Sequence, residues 1–339
     1  MDQQEIQKKI DELITQSETV IEEVFARRLK ELLYMVSDIY RKYTVKGKDP
    51  SYTDLNKYNR LQKELELIKK TLNADYRAVV KTLESAQETI YIQNYLMAAY
   101  LLEMTAEEDM GFSLPSMETI QEAILSPIEF LTLPKVMENH RNELIRRIHI
   151  EITQGFIAGE GYANIAQRLQ KALGFSQKKA RLVARTEGGR TRSISSEAVA
   201  EQASKHTKLG KVWMSSLDLR VRMSHRALDG KKADAEGYFH YKGLKAKAPL
   251  LWGNAPMDIQ CRCDVLYTVN GMLPQYRRGR NYMDEDYQKK LKERVNKYMD
   301  EGKTFLQAFK KADKEIKPPS KVFDYVTYDD WKDKFATAK

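Results

Sequence analysis

The sequence predicts a predominantly helical α+β fold: long N-terminal helices, a small mixed α/β module, then a helical tail. Three observations predict it. Residues 3–45 contain neither glycine nor proline and repeat apolar side chains at three- and four-residue steps, the period of an amphipathic helix. After Gly210 the texture changes to two short runs of strand-forming residues around a glycine- and proline-rich insert. Beyond Pro274 the chain returns to charged helical periodicity.

Taken in order, Ile6, Ile10, Ile14, Ile21, Phe25, Leu32, Val36 and Ile39 mark the first helix, which Lys46-Gly47-Lys48-Asp49-Pro50 breaks. Thr53 or Asp54 can cap a second helix through about Asn73, and a third follows from about Asp75 to Glu108. Helices this long need something to cover their apolar stripes, so residues 1–108 read as a long-helix hairpin or bundle that packs on itself or on a neighbouring chain. Residues 109–134, with Pro115, Pro127 and Pro134, read as a hinge. Helical spacing resumes over Lys135–Ile157 and across Ile165, Leu169 and Leu173; Gly174 reads as a C-cap and Ser176 as the start of a helix to about Ser204, interrupted at Gly188-Gly189. Val212-Trp213-Met214 and Cys263 to Val269 read as strands within a module spanning 135–272. Residues 273–339 form a charged tail, with helices near Asp284–Tyr298 and Thr304–Ala312 and an extended end led by Pro318-Pro319.

Composition narrows the class. The 339 residues are 42% hydrophobic and 31% charged with mean hydropathy -0.61, which is unlike a membrane protein and unlike a disordered chain. The longest apolar run, Leu96 to Leu102, falls far short of the ~20 residues of a bilayer span. The polar, acidic start lacks the order of a secretory signal, and the two cysteines, Cys261 and Cys263, are badly spaced for a structural disulfide. A reducing compartment is expected.

Net charge is +9, and residues 176–232 alone carry fourteen basic against five acidic side chains, so the rest of the chain is neutral. Lys178, Lys179, Arg181, Arg185, Arg190 and Arg192 lead this block. Such a block attracts DNA or another polyanionic partner through counterion release, or it is a solvated basic helix face.

The pieces that carry identity run from Ile165-Ala166-Gln167-Arg168-Leu169 through Ala184-Arg185-Thr186-Glu187 and Arg190 to Trp213, Asp218, Arg220, Arg222, His225 and the Leu228-Asp229-Gly230 turn, ending in Pro256 and Cys261-Arg262-Cys263. In this order and spacing they resemble the phage Mu F-like family of head-morphogenesis, or minor head, proteins of tailed double-stranded DNA bacteriophages and prophages. The resemblance implies a minor capsid component inside the head near the portal, acting in head assembly and genome packaging or delivery. It implies portal protein and phage DNA as partners, with scaffold or major capsid protein as further contacts. The virion head interior, and the host cytoplasm during assembly, follow as locations. Family-motif residues expected to be structural are Glu187, Trp213, Asp218, Arg222, His225, Asp229, Gly230, Cys261, Arg262 and Cys263. Alternative readings are an internal non-specific DNA-binding protein without portal contact, and an enzyme or toxin-carrier module, since some relatives carry a toxin domain after this module.

Chemistry at these residues can be read independently. Arg185 and Arg190 lie about 140° apart on a helix, so they need not share a ligand. They either pair with carboxylates to fix the module, with Glu187 contributing to a network toward Asp218 and Arg222, or meet phosphates or an acidic portal surface. His225, His240, Cys261 and Cys263 are the metal-type donors, but one intervening residue is off the usual C-x2-4-C spacing of zinc sites. No cofactor is expected, with zinc on His225, Cys261 and Cys263 kept as the candidate exception. Asp218, His225, Asp229 and Glu187 carry acid-base groups, yet no nucleophile elbow, phosphate loop or H-E-x-x-H accompanies them, and a non-enzymatic role is expected.

Overall fold

The computed structural model describes residues 3–44, 48–56, 59–125, 133–271 and 276–336. The expectations at Lys46-Gly47, Pro127 and Pro274 lie outside them. Eleven helices and six short strands are found among the described residues: α1 (Gln3–Tyr43), α2 (Tyr52–Asn56), α3 (Arg60–Ala106), α4 (Met117–Leu125), α5 (Leu133–Ile157), α6 (Tyr162–Ala203), β1 (Leu209–Met214), α7 (Met223–Arg226), β2 (Phe239–Tyr241), β3 (Leu244–Ala246), α8 (Ala255–Asp258), β4 (Asp264–Val269), β5 (Tyr276–Arg280), α9 (Glu285–Asp300), α10 (Phe305–Glu315), β6 (Ser320–Asp324) and α11 (Tyr328–Phe335). The fold is predominantly helical α+β.

Helices α1, α3, α5 and α6 enclose one core. Ile21, Phe25, Leu32, Val36 and Ile39 of α1 meet Leu65, Ile68, Leu72, Val79 and Leu83 of α3, with Leu144, Ile148 and Ile152 of α5 and Leu169, Leu173 and Ala180 of α6 completing it. The apolar stripes of α1 and α3 are thus largely satisfied within the chain. One stripe position on α1 is Arg28, which is buried and donates to Asp75 of α3 at 2.9 Å. This explains a difference from the sequence reading, in which Asp75 opens a third helix. Asp75 lies mid-helix as the counter-charge of Arg28, and no glycine or proline breaks α3 there.

Helix α6 differs in the same way. It runs unbroken through Gly174, Ser176, Gly188 and Gly189. The paired glycines do not interrupt it; they let neighbours close in. A Cβ at 188 would stand 2.7 Å from Ile14 Cγ1 of α1, and one at 189 would stand 2.8 Å from Leu250 Cδ1 of the insert. The helical cost of glycine, ~1 kcal/mol each, is accepted for contact on both faces.

Among the described residues the β structure is three two-stranded antiparallel sheets. β1 pairs with β4, with Trp213 opposite Val265; β2 pairs with β3; β5 pairs with β6, with Arg277 opposite Phe323. Trp213, Phe239, Ala246, Leu250, Trp252, Cys261 and Cys263 form a second core inside the insert. The tail returns to cover the module: Tyr328 and Trp331 of α11 pack with Leu217, Val221 and Phe323. No helix among the described residues is long and apolar enough to cross a membrane.

Candidate functional site

The motif residues of α6 face three directions, because a continuous helix presents successive side chains about 100° apart. Toward α1, Arg181 and Arg185 both reach Glu18, at 3.2 and 2.9 Å. Toward α3, Gln87 donates to Glu187 and Thr191, Asn94 donates to Ser196 at 2.9 Å, and Ser195 donates to the Tyr91 carbonyl at 2.9 Å. Arg190 donates to Glu187 at 2.8 Å and to the Ile124 carbonyl of α4. Toward the insert, Arg192 donates to the Cys263 carbonyl at 3.1 Å, and Thr186 accepts the Gln260 amide at 3.2 Å. A buried polar seam therefore ties the motif helix to the segment carrying Cys261-Arg262-Cys263.

Around that segment each motif residue has a specific partner. Arg262 and Asp218 form a two-point ion pair, one arm at 2.9 Å, and Asp218 also accepts the Arg220 amide at 2.8 Å. Arg222 donates to the carbonyls of Ile259, at 2.5 Å, and Pro256, closing the loop around α8. Gly230, at φ 73°, makes the turn that returns the chain to β1, where its amide meets the Trp213 carbonyl at 2.9 Å. Asp229 accepts the amides of Ser215 and Tyr328, both at 2.7 Å, and pairs with Arg277.

At the centre lie His225, Cys261 and Cys263, all buried. His225 Nδ1 is 3.2 Å from Cys263 Sγ and 3.3 Å from Cys261 Sγ, and the three donor atoms lie within 4.8 Å of one another. Trp213 packs edge-on against the imidazole with ring centroids 5.9 Å apart. Burial pushes the Cys261 thiol well up. Burial also opposes ionisation of Cys263, but contacts with Cys261 and His225 outweigh it and hold this thiol well below the ordinary range. His240 is not part of the group: it is exposed and pairs with Asp234.

The basic block splits in two. Arg190 and Arg192 are buried, which corrects their expected place on a DNA- or partner-binding surface: the seam needs their charge inside. Lys179 pairs with Glu143 at 2.6 Å, Arg181 with Glu18 and Glu22, and Arg185 with Glu18. Of the six leading residues, Lys178 is exposed, while Lys179, Arg181 and Arg185 are half-buried in these pairs. The acid-base groups are likewise separately engaged: Asp218 with Arg262, Asp229 with Arg277, and Glu187 with Arg190.

Several members of this framework escape sequence reading. Glu18, Gln87, Asn94, Thr191 and Ser195 are polar residues on amphipathic helices and look like surface. Arg277 sits in the polar run Tyr276-Arg277-Arg278-Gly279-Arg280, where only the two-residue alternation of burial in β5 distinguishes it.

Residues 146–266, which span the α6 motif, the insert and the cysteines, match the family described as Phage Mu protein F like protein. The chain is 45% identical over 280 residues to Minor head protein GP7 of Bacillus phage SPP1, covering 82% of this chain and 90% of that protein. It is 29% identical over 237 residues to the NAD(+)--arginine ADP-ribosyltransferase EFV of Enterococcus faecalis, covering 70% of this chain but 49% of that protein. No solved structure matches the chain. The chain belongs to the phage Mu F-like head-morphogenesis family of tailed bacteriophages, and its role is that of a minor head protein, structural rather than enzymatic.

Proposed function

We propose that this minor head protein sits inside the head, docked at the portal vertex, and acts during capsid assembly and genome packaging or delivery. The observation that carries the reading is the likeness to a minor head protein across nine-tenths of that protein's length. A surface suited to such docking supports it. Leu96, Tyr100 and Met104 follow one another at four-residue steps on α3, so they share one helix face, and they are 51%, 50% and 60% exposed. An apolar helical stripe of this kind gains free energy when a protein partner covers it.

Co-sedimentation of the purified chain with its cognate portal tests the proposal. Deleting residues 1–108 is uninformative, because it opens the core shared with α5 and α6. The informative variant is Leu96→Ser, Tyr100→Ser and Met104→Ser combined, which leaves the core intact. Portal association should weaken roughly tenfold or more, the equivalent of about 1.4 kcal/mol. Absence of wild-type association sinks the portal reading and favours an internal protein without portal contact; unchanged association of the variant moves the docking surface elsewhere.

A further inference from the structure

We propose that His225, Cys261 and Cys263 form a binding site for one zinc-class divalent cation, which pins the loop-rich insert to the α6 framework.

Geometry is the first support. Two ligands of a tetrahedral zinc, one sulfur at about 2.3 Å and one imidazole nitrogen at about 2.0 Å, stand about 3.5 Å apart. The two observed nitrogen–sulfur separations are 3.2 and 3.3 Å, so a metal fits with shifts of a few tenths of an ångström. One ring nitrogen cannot donate one proton fully to two sulfurs at once, whereas one cation satisfies all three lone pairs.

The surroundings are the second support. The Cys263 amide points at Cys261 Sγ at 3.4 Å, a contact that stabilises negative charge on a sulfur ligand. Ser215 holds the His225 carbonyl at 2.7 Å and lies beside Cys263 Sγ, fixing the short helix that carries the imidazole. A sulfur and nitrogen donor set selects zinc-class ions over magnesium or calcium, which take oxygen. No fourth His, Cys, Asp or Glu joins the three among the described residues. Asp258 faces its own backbone partners, the amides of Trp252 and Asn254.

The need for such a staple is the third. The chain between His225 and Cys261 holds two three-residue strands, β2 and β3, and one four-residue helix, α8. Backbone ladders so short hold few hydrogen bonds, so the segment relies on its side-chain core and on what ties its two ends together. A cation joining the two ends of this segment removes much of its freedom in the unfolded chain.

The test uses the full chain, purified under reducing conditions from zinc-supplemented cells. Elemental analysis should find about one zinc per chain, and replacement by cobalt should give the sulfur-to-cobalt charge-transfer absorption of a two-thiolate site. Cys261→Ser, Cys263→Ser and His225→Gln should each lose most of the metal, while His240→Gln keeps it. The cobalt spectrum is read on the wild-type chain, so it stands even where a variant does not fold. A folded wild-type chain that takes up neither zinc nor cobalt, or zinc that persists in all three ligand variants, overturns the proposal.

Discussion

Arg277 of β5 and Asp229 of the turn after α7 form an ion pair with side chains only 3% and 2% exposed. One arm is 2.9 Å long, and the remaining capacity is used: Arg277 also donates to the carbonyls of Ser215 and Val326, while Asp229 accepts the amides of Ser215 and Tyr328. The pair bolts the tail onto the module, since Ser215 and Asp229 belong to one and Arg277, Val326 and Tyr328 to the other.

Removing one partner leaves an uncompensated buried charge. Arg277→Met should therefore destabilise the protein by about 3–5 kcal/mol. Denaturant unfolding would measure it, and a loss below about 1 kcal/mol would mean the pair is in contact with water.

Gly188→Ala sets two effects against each other. The helix gains ~1 kcal/mol in propensity, but the new methyl meets Ile14 Cγ1 at 2.7 Å and Ile90 Cδ1 at 3.3 Å. Overpacking of this kind costs about 1–3 kcal/mol, so the variant should be less stable than the parent. Combining it with Ile14→Ala should show favourable coupling of about 1 kcal/mol or more in a double-mutant cycle. Additive effects would show that α1 shifts to make room.

These two cases mark what a sequence discloses. The 3.6-residue stripe of α1 is legible because every turn repeats the same solvent-avoidance argument. The joining of α6 across Gly174 and Gly188-Gly189 is not, because glycine reads locally as a break and its use for close approach depends on Ile14 and Leu250, distant in sequence. His225, Cys261 and Cys263 are nameable as donors from residue type alone, and the structure places them together. His240 shares the chemistry but not the place. The buried arginines 190 and 192 mislead through their charge, since only their partners, the Ile124 carbonyl of α4, the Cys263 carbonyl and Asp264 of β4, reveal that they face inward.

Acid should weaken the fold through His140. Burial, with the Lys179 ammonium adding to it against the opposing pull of Glu143, holds this imidazole below its ordinary 6.5. The unfolded chain then takes up the proton first as pH falls through about 6.5, so the contribution is complete above that value and is lost below it. The urea midpoint should drop between about pH 7.5 and 5.5, and His140→Gln should flatten the decline. An identical decline in the variant would assign it to other groups.

The distribution of paired and unpaired cations leads to a prediction about DNA. Within the basic block, Lys205, Lys208, Lys231 and Lys232 are exposed, whereas Arg190 is 5% exposed at its side chain and neutralised by Glu187. Non-specific affinity for duplex DNA depends on counterions released by accessible cations, so the lysines should supply it and Arg190 should not. The wild-type chain should bind with a dissociation constant of about 1–100 micromolar at physiological salt, weakening steeply as salt rises. Changing the four lysines to glutamine should reduce both the affinity and the slope of log K against log salt, by up to ~0.9 for each phosphate no longer neutralised. Arg190→Gln should leave the slope unchanged while lowering stability, because it breaks a buried pair. Fluorescence anisotropy over a salt series, with folding checked by circular dichroism, separates the two. A folded Arg190→Gln chain with a flattened slope would show that the α6 seam opens to meet DNA; a salt-insensitive wild type would remove the electrostatic reading of the block altogether.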